Sequence, residues 1–126
     1  MIDGKFGDNG ELIFELELLD SAGERFTVEG LWDTGFTTGW LAIDSQDVEV
    51  LGWSKLASQV EMISVQGTKY FDIYAGRIII DSYELTIAVH VGENIPEILL
   101  GRKFLQMMEL VVNEPKGILT LSIVQY

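Results

Sequence analysis

Apolar and polar residues alternate along much of this chain with the two-residue period of a β-strand. Glu11-Leu12-Ile13-Phe14-Glu15-Leu16-Glu17-Leu18 sets Leu12, Phe14, Leu16 and Leu18 on one face and Glu11, Glu15 and Glu17 on the other, the pattern of a half-buried strand. Turn clusters flank it, Gly7-Asp8-Asn9-Gly10 before and Asp20-Ser21-Ala22-Gly23 after, so residues 26–32 are expected to return antiparallel. Residues 60–65 and 70–80 predict a long projecting hairpin around Gln66-Gly67-Thr68-Lys69, and residues 84–91 predict a further strand. The spacing turns helical across residues 99–108, where Leu100, Phe104 and Met107 or Met108 share a side. A second short helix is expected to be capped by Ser45 and to run to Leu51, with Asp47 and Glu49 favouring its N-terminal half. Residues 110–112 and 118–124 close the chain as strands around Asn113-Glu114-Pro115-Lys116-Gly117. The sum is an all-β chain with one short C-terminal helix.

At 126 residues the chain is long enough for one buried core and too short for two ordinary ones, so residues 1–126 are expected to form a single domain. A hydrophobic share of 48% excludes a disordered acidic tail and requires that much apolar surface be hidden, in the chain's own core or against a partner. The formal charge of −12 disfavours nucleic-acid phosphates and anionic membranes as partners. The absence of cysteine excludes disulfides, thiolate catalysis and cysteine-based zinc sites. Met1-Ile2-Asp3-Gly4-Lys5 lacks the apolar run of a signal peptide, and no stretch approaches the ~18 apolar residues of a membrane span, so a soluble cytoplasmic protein is the expectation.

The chemistry is concentrated in Leu31-Trp32-Asp33-Thr34-Gly35-Phe36, where two apolar residues deliver an aspartate into a tight turn that ends in glycine. A carboxylate in apolar surroundings needs several hydrogen bonds or a proton shared with another acid. Gly35 lets backbone amides approach the carboxylate, and Thr34 adds a hydroxyl. An ordinary turn yields the same tripeptide, and Asp-Thr-Gly alone does not decide between the two.

A second segment changes that balance. Glu97-Ile98-Leu99-Leu100-Gly101-Arg102-Lys103-Phe104-Leu105 resembles the apolar-apolar-Gly-Arg-X-apolar stretch that opens the C-terminal helix of retroviral proteases. The order of apolar-Asp-Thr-Gly, projecting hairpin, Leu-Leu-Gly-Arg-Lys-Phe-Leu and two closing strands resembles retropepsin-like aspartic proteases over roughly residues 26–121, with Phe36 suggesting a prokaryotic Asp-Thr-Gly-Phe branch. The resemblance implies a retropepsin-like acid-protease half-barrel that works as a homodimer on a peptide or protein substrate, with no cofactor and no metal. Asp33 would be the one catalytic aspartate per chain, since Asp20-Ser21-Ala22 and Asp81-Ser82-Tyr83 both lack the glycine of a second motif. Two such carboxyls in contact hold one proton between them, so the ionised member activates water and the protonated one polarises the peptide carbonyl.

By the same resemblance Thr34 would brace its counterpart across the dimer, and Gln66, Gly67 and Thr68 would form a flap over the substrate. A plain hairpin tip has the same composition. Gly101 and Arg102 would support the site from beneath, although Thr37 and Thr38 stand where retroviral enzymes carry the acidic partner of that arginine. Phe36 replaces a small residue and is expected to narrow the substrate groove or to change which side chains it accepts. His90, the only histidine, is expected on the sheet surface without a role, and Trp32, Trp40 and Trp53 either line a groove or pack in the core. The C-terminal strand, as an edge, is expected either to pair with a second copy or to complete its own sheet. A noncatalytic peptide-binding or assembly module on the same fold, and a small acidic β-barrel outside the family, are the alternatives.

Overall fold

The computed structural model describes residues 1–64 and 67–124. The chain opens with two short strands, β1 (Ile2–Asp3) and β2 (Lys5–Phe6), and continues through β3 (Leu12–Leu19), β4 (Arg25–Trp32) and β5 (Leu41–Asp44). After helix α1 (Ser45–Glu49) come the long strands β6 (Ser54–Ser64), β7 (Gly67–Ile80) and β8 (Tyr83–Gly92), then β9 (Ile98–Leu100). A 3-10 turn (Arg102–Gln106), β10 (Met108–Asn113), a second 3-10 turn (Glu114–Lys116) and β11 (Ile118–Ile123) complete it.

Alternation and turn chemistry make the first hairpin. Phe14, Leu16 and Leu18 are buried as their spacing predicts. The Asp20 carboxylate accepts from the amides of Ala22 and Glu24 while Gly23 takes φ +85, and β4 then runs back along β3 with Leu18 opposite Phe26. The eight-stranded sheet has the order β2-β3-β4-β9-β5-β8-β7-β6, and an added pairing of β3 with the C-terminal part of β7 closes six of its strands into a barrel. Phe14, Leu41, Ile43, Ile78, Val89, Leu100 and Phe104 fill that barrel with almost no exposure. The fold is the all-β architecture that the sequence predicts, with α1 and the two 3-10 turns as its helical segments among the described residues, and Trp32 and Trp53 belong to its core.

Two local expectations change and a third is decided between its alternatives. The cap of α1 is Asp44, whose carboxylate accepts from the Gln46 amide, so the helix starts at Ser45 instead of being capped by it. The helical spacing of residues 99–108 yields only a five-residue 3-10 turn, because Leu99 and Leu100 are paired with β4 and β5. Phe104 and Met108 still reach the core, at 0% and 3% exposure. Third, of the two expectations for the C-terminal strand the structure shows the one in which it completes its own sheet: β11 is not an edge but lies between β1 and β10 in a three-stranded sheet, with Leu121 fully buried. The edges of that sheet are the two-residue β1 and the longer β10, where Val111 and Val112 are exposed.

Candidate active site

β4 ends at the buried Trp32, and the next residue is Asp33. The Asp33 amide donates to the Leu100 carbonyl at 3.0 Å, and the Phe36 amide donates to the Asp33 carbonyl at 3.1 Å, which closes a tight turn. Within it the Gly35 amide donates to Asp33 Oδ1 at 2.9 Å. A Cβ on Gly35 would stand 3.2 Å from that oxygen, closer than ordinary contact, so glycine is what allows the amide to sit so near the carboxylate. Asp33 is half-buried, while Thr34 and Gly35 are exposed on the open side of the loop.

The Leu-Leu-Gly-Arg segment grips this loop. β9 lies between β4 and β5, parallel to the first and antiparallel to the second, and thus beneath the connection that carries Asp33. The Gly101 amide donates to Trp40 O at 2.6 Å, the Arg102 amide to Phe36 O at 2.9 Å and the Lys103 amide to Gly39 O at 3.2 Å. A Cβ on Gly101 would fall 2.0 Å from Gly39 O, an impossible approach to rigid backbone. The two motifs separated in sequence are one structural unit: the second supplies the floor on which the first is hydrogen-bonded.

The side chains of Arg102 and Phe36 stand differently from what the resemblance implies. Arg102 serves through its backbone, since its side chain is exposed and among the described residues has no carboxylate within salt-bridge distance. Phe36 is 6% exposed and turns its ring inward to the space left by Gly39, where a Cβ would come 2.1 Å from the ring. The ring touches the cleft at its base instead of projecting into it, so its bulk is absorbed by the loop's own glycines.

Above the loop stands the hairpin of β6 and β7. Register shifts between Lys55 and Val60, with Gln59 at φ +53, bend β6 along its length. A cleft of about 1560 Å³ lies between hairpin and loop, with Asp33, Gly35 and Phe36 on one wall and Met62, Thr68 and Tyr70 on the other. Gly67 has φ +116 and is exposed at the hairpin end, as is Thr68; Gln66 lies outside the described residues. In the same cleft the Gln59 amide and Lys55 hold the Asp72 carboxyl below the usual carboxylate range. Among the described residues no three His, Cys, Asp or Glu side chains assemble as metal ligands, and no helix is long and apolar enough to cross a membrane.

His90 overturns its expected surface position. It is 8% exposed, its Nδ1 has no hydrogen-bond partner, and its ring meets Phe36 edge-on at 5.1 Å and Phe71 at 5.8 Å between centroids. Burial pushes its pKa below the ordinary histidine range, and the nearby Lys103 charge acts in the same direction. Alternation failed at this point because β8 is covered on both faces from Val89 to Gly92. An unpaired buried polar atom costs about 1–3 kcal/mol, an unusual choice between two valines.

Two solved structures share this architecture. EIAV protease complexed with the inhibitor HBY-793 matches with a TM-score of 0.61 and 17% identity over 81% of this chain and 91% of its own. A retropepsin-like aspartic protease from Rickettsia conorii matches with a TM-score of 0.59 and 18% identity over 95% of this chain and 87% of its own. No protein-family model matches the chain, and no curated protein matches it in sequence. The chain therefore has the retropepsin-like aspartic-protease fold, established by structure where sequence identity is low.

Proposed function

We propose that this protein is a homodimeric aspartic endopeptidase in which one Asp33 from each subunit shares a proton and activates a water molecule. The observation that carries this is the setting of Asp33: its carboxylate accepts from the Gly35 amide on a loop braced by the Gly101 segment, and it opens into the cleft under the hairpin. A single carboxyl cannot both deprotonate water and protonate the carbonyl, so the chemistry requires a second copy. The exposed Thr34 is well situated to brace a partner loop, and Gly67 and Thr68 to cover an extended substrate. The apolar lining contributed by Met62, Phe71, Ile95 and Leu99 suits a peptide with apolar side chains near the scissile bond.

The second copy has one strand edge of adequate length to add to in the small sheet. β10 carries Val111 and Val112 at 39% and 43% exposure, whereas β11 is already paired on both sides. Each chain brings a charge of −12, so association should strengthen with moderate salt. The test is cleavage of a peptide library, with pepstatin and Asp33→Asn as controls and sedimentation run alongside. Pepstatin-sensitive cleavage that rises with protein concentration and disappears in Asp33→Asn is expected. Cleavage by a monomer, or cleavage that survives Asp33→Asn, overturns the proposal, and an intact dimer that binds peptides without cutting them identifies a noncatalytic binding module.

A further inference from the structure

Three aromatic rings run from the hairpin to the Asp33 loop, and the central one is His90. Phe71 belongs to β7 and packs on Gly92, where a Cβ would come 2.8 Å from its ring. Phe36 belongs to the Asp33 loop and fills the slot over Gly39 and Gly101. His90 meets both rings edge to face, at 70° to Phe71 and 88° to Phe36. Both valines beside it are buried as well, so an apolar side chain in the same place would have closed the core without stranding Nδ1.

We propose that His90 is a positioning residue whose neutral imidazole, gripped between Phe36 and Phe71, holds the base of the hairpin on the loop that carries Asp33. This rests on the assignment of Asp33 as the catalytic carboxyl and of the hairpin as the substrate cover. The neutral ring suits an edge-to-face stack in an apolar slot, whereas the imidazolium would have to be buried there without a partner.

The charged groups on the surrounding elements do not offer it one. Lys103, on the 3-10 turn, opposes a cation. On β7, Asp72 is engaged by Lys55 and the Gln59 amide, and Tyr74 lies under Lys55. On β5, Asp44 accepts from the amides of Gln46 and Ile95, and in the loop Asp33 accepts from Gly35. On β8 itself Glu84 pairs with Arg77 at the far end of the strand. Protonation of His90 therefore releases the stack, and with it the registration of hairpin and loop.

The only histidine in the chain gives a single imidazole signal to follow by NMR. The experiment measures that titration together with amide exchange of residues 60–64 and 67–71, in the free protein, for the unaltered chain, His90→Phe and His90→Leu. In the unaltered chain the protection factors of the hairpin amides, corrected for the intrinsic pH dependence of exchange, should fall about tenfold as His90 takes up its proton, with the same midpoint. In His90→Phe, where a third apolar ring keeps the stack, protection should persist across that range. His90→Leu, which breaks the stack, should exchange faster at every pH. For catalysis, His90→Phe should lose the part of the acid limb of kcat/KM that coincides with the His90 midpoint, while His90→Leu should raise KM more than it lowers kcat. Hairpin exchange that ignores the His90 midpoint, or is unchanged in both variants, overturns the inference. If the exchange pattern appears in a protein that cleaves nothing, the coupling stands and the protease assignment is what fails.

Discussion

The loop beneath the cleft and the hairpin above it both turn on glycine, for opposite reasons. At Gly101 an added Cβ would strike the Gly39 carbonyl at 2.0 Å, while at Gly67 it would meet nothing within 4 Å and only the φ of +116 demands glycine. The first glycine serves close packing, and the second serves backbone freedom. The carboxyl loop is fixed by backbone hydrogen bonds to Leu100, Gly101, Arg102 and Lys103, whereas the hairpin rises from the barrel with its distal residues exposed. The proposed endopeptidase would need both, a rigid floor to hold the carboxyl still and a cover that can admit a long substrate.

The contrast can be broken from either side. Asp33→Asn should lower hydrolysis by roughly three orders of magnitude or more while leaving thermal unfolding close to that of the unaltered chain, because Asp33 is half-buried and its loop is held by backbone bonds. Gly101→Ala should act on the floor itself, removing about 3 kcal/mol of stability or preventing folding, as read by denaturant unfolding. Gly67→Val should do the reverse: a stability loss of only about 1–2 kcal/mol from the unfavourable φ, with kcat/KM falling roughly tenfold because the cover is altered. Equal stability losses at the two glycines would abolish the distinction between floor and cover.

Acidity sharpens it further. His90 has a depressed pKa in the folded chain, so as pH falls through the ordinary value of about 6.5 the unfolded state takes up a proton first. Stability should decline from there until the folded-state pKa is reached, and His90→Leu should flatten that portion of the curve. Asp44, Asp72 and Asp81 also have depressed values, each held down first by a hydrogen bond, from the Gln46 amide, the Gln59 amide and the N-terminal ammonium respectively. Their contribution is present above the unfolded carboxylate value and disappears at lower pH, as pH falls through their folded values. The smallest effect is expected at the partly exposed Lys55–Asp72 pair, where Lys55→Ala should leave the unfolding midpoint within measurement error.

Local chemistry determined much of this protein before any tertiary contact is considered. The alternation from Glu11 to Leu18, the Asp20–Gly23 turn and the pairing of Asp-Thr-Gly with a later Leu-Leu-Gly-Arg were enough for the fold class and for the position of Asp33. The first two rest on periodicity and turn geometry, which neighbouring residues impose on their own, and the third on the resemblance to retropepsin-like proteases. What required the assembled chain was set by long-range pairing. β5 and β9 are too short to announce themselves and exist as strands because each fills a place beside the other in the barrel. The inward turn of Phe36 follows from two glycines brought together by that pairing, and the burial of His90 from the covering of β8 on both faces. β11 lost its edge because the first residues of the chain fold back on it. Sequence pattern states which face of a strand is apolar; which partner covers each face and each edge is decided only when distant segments meet, because that burial depends on the whole sheet at once.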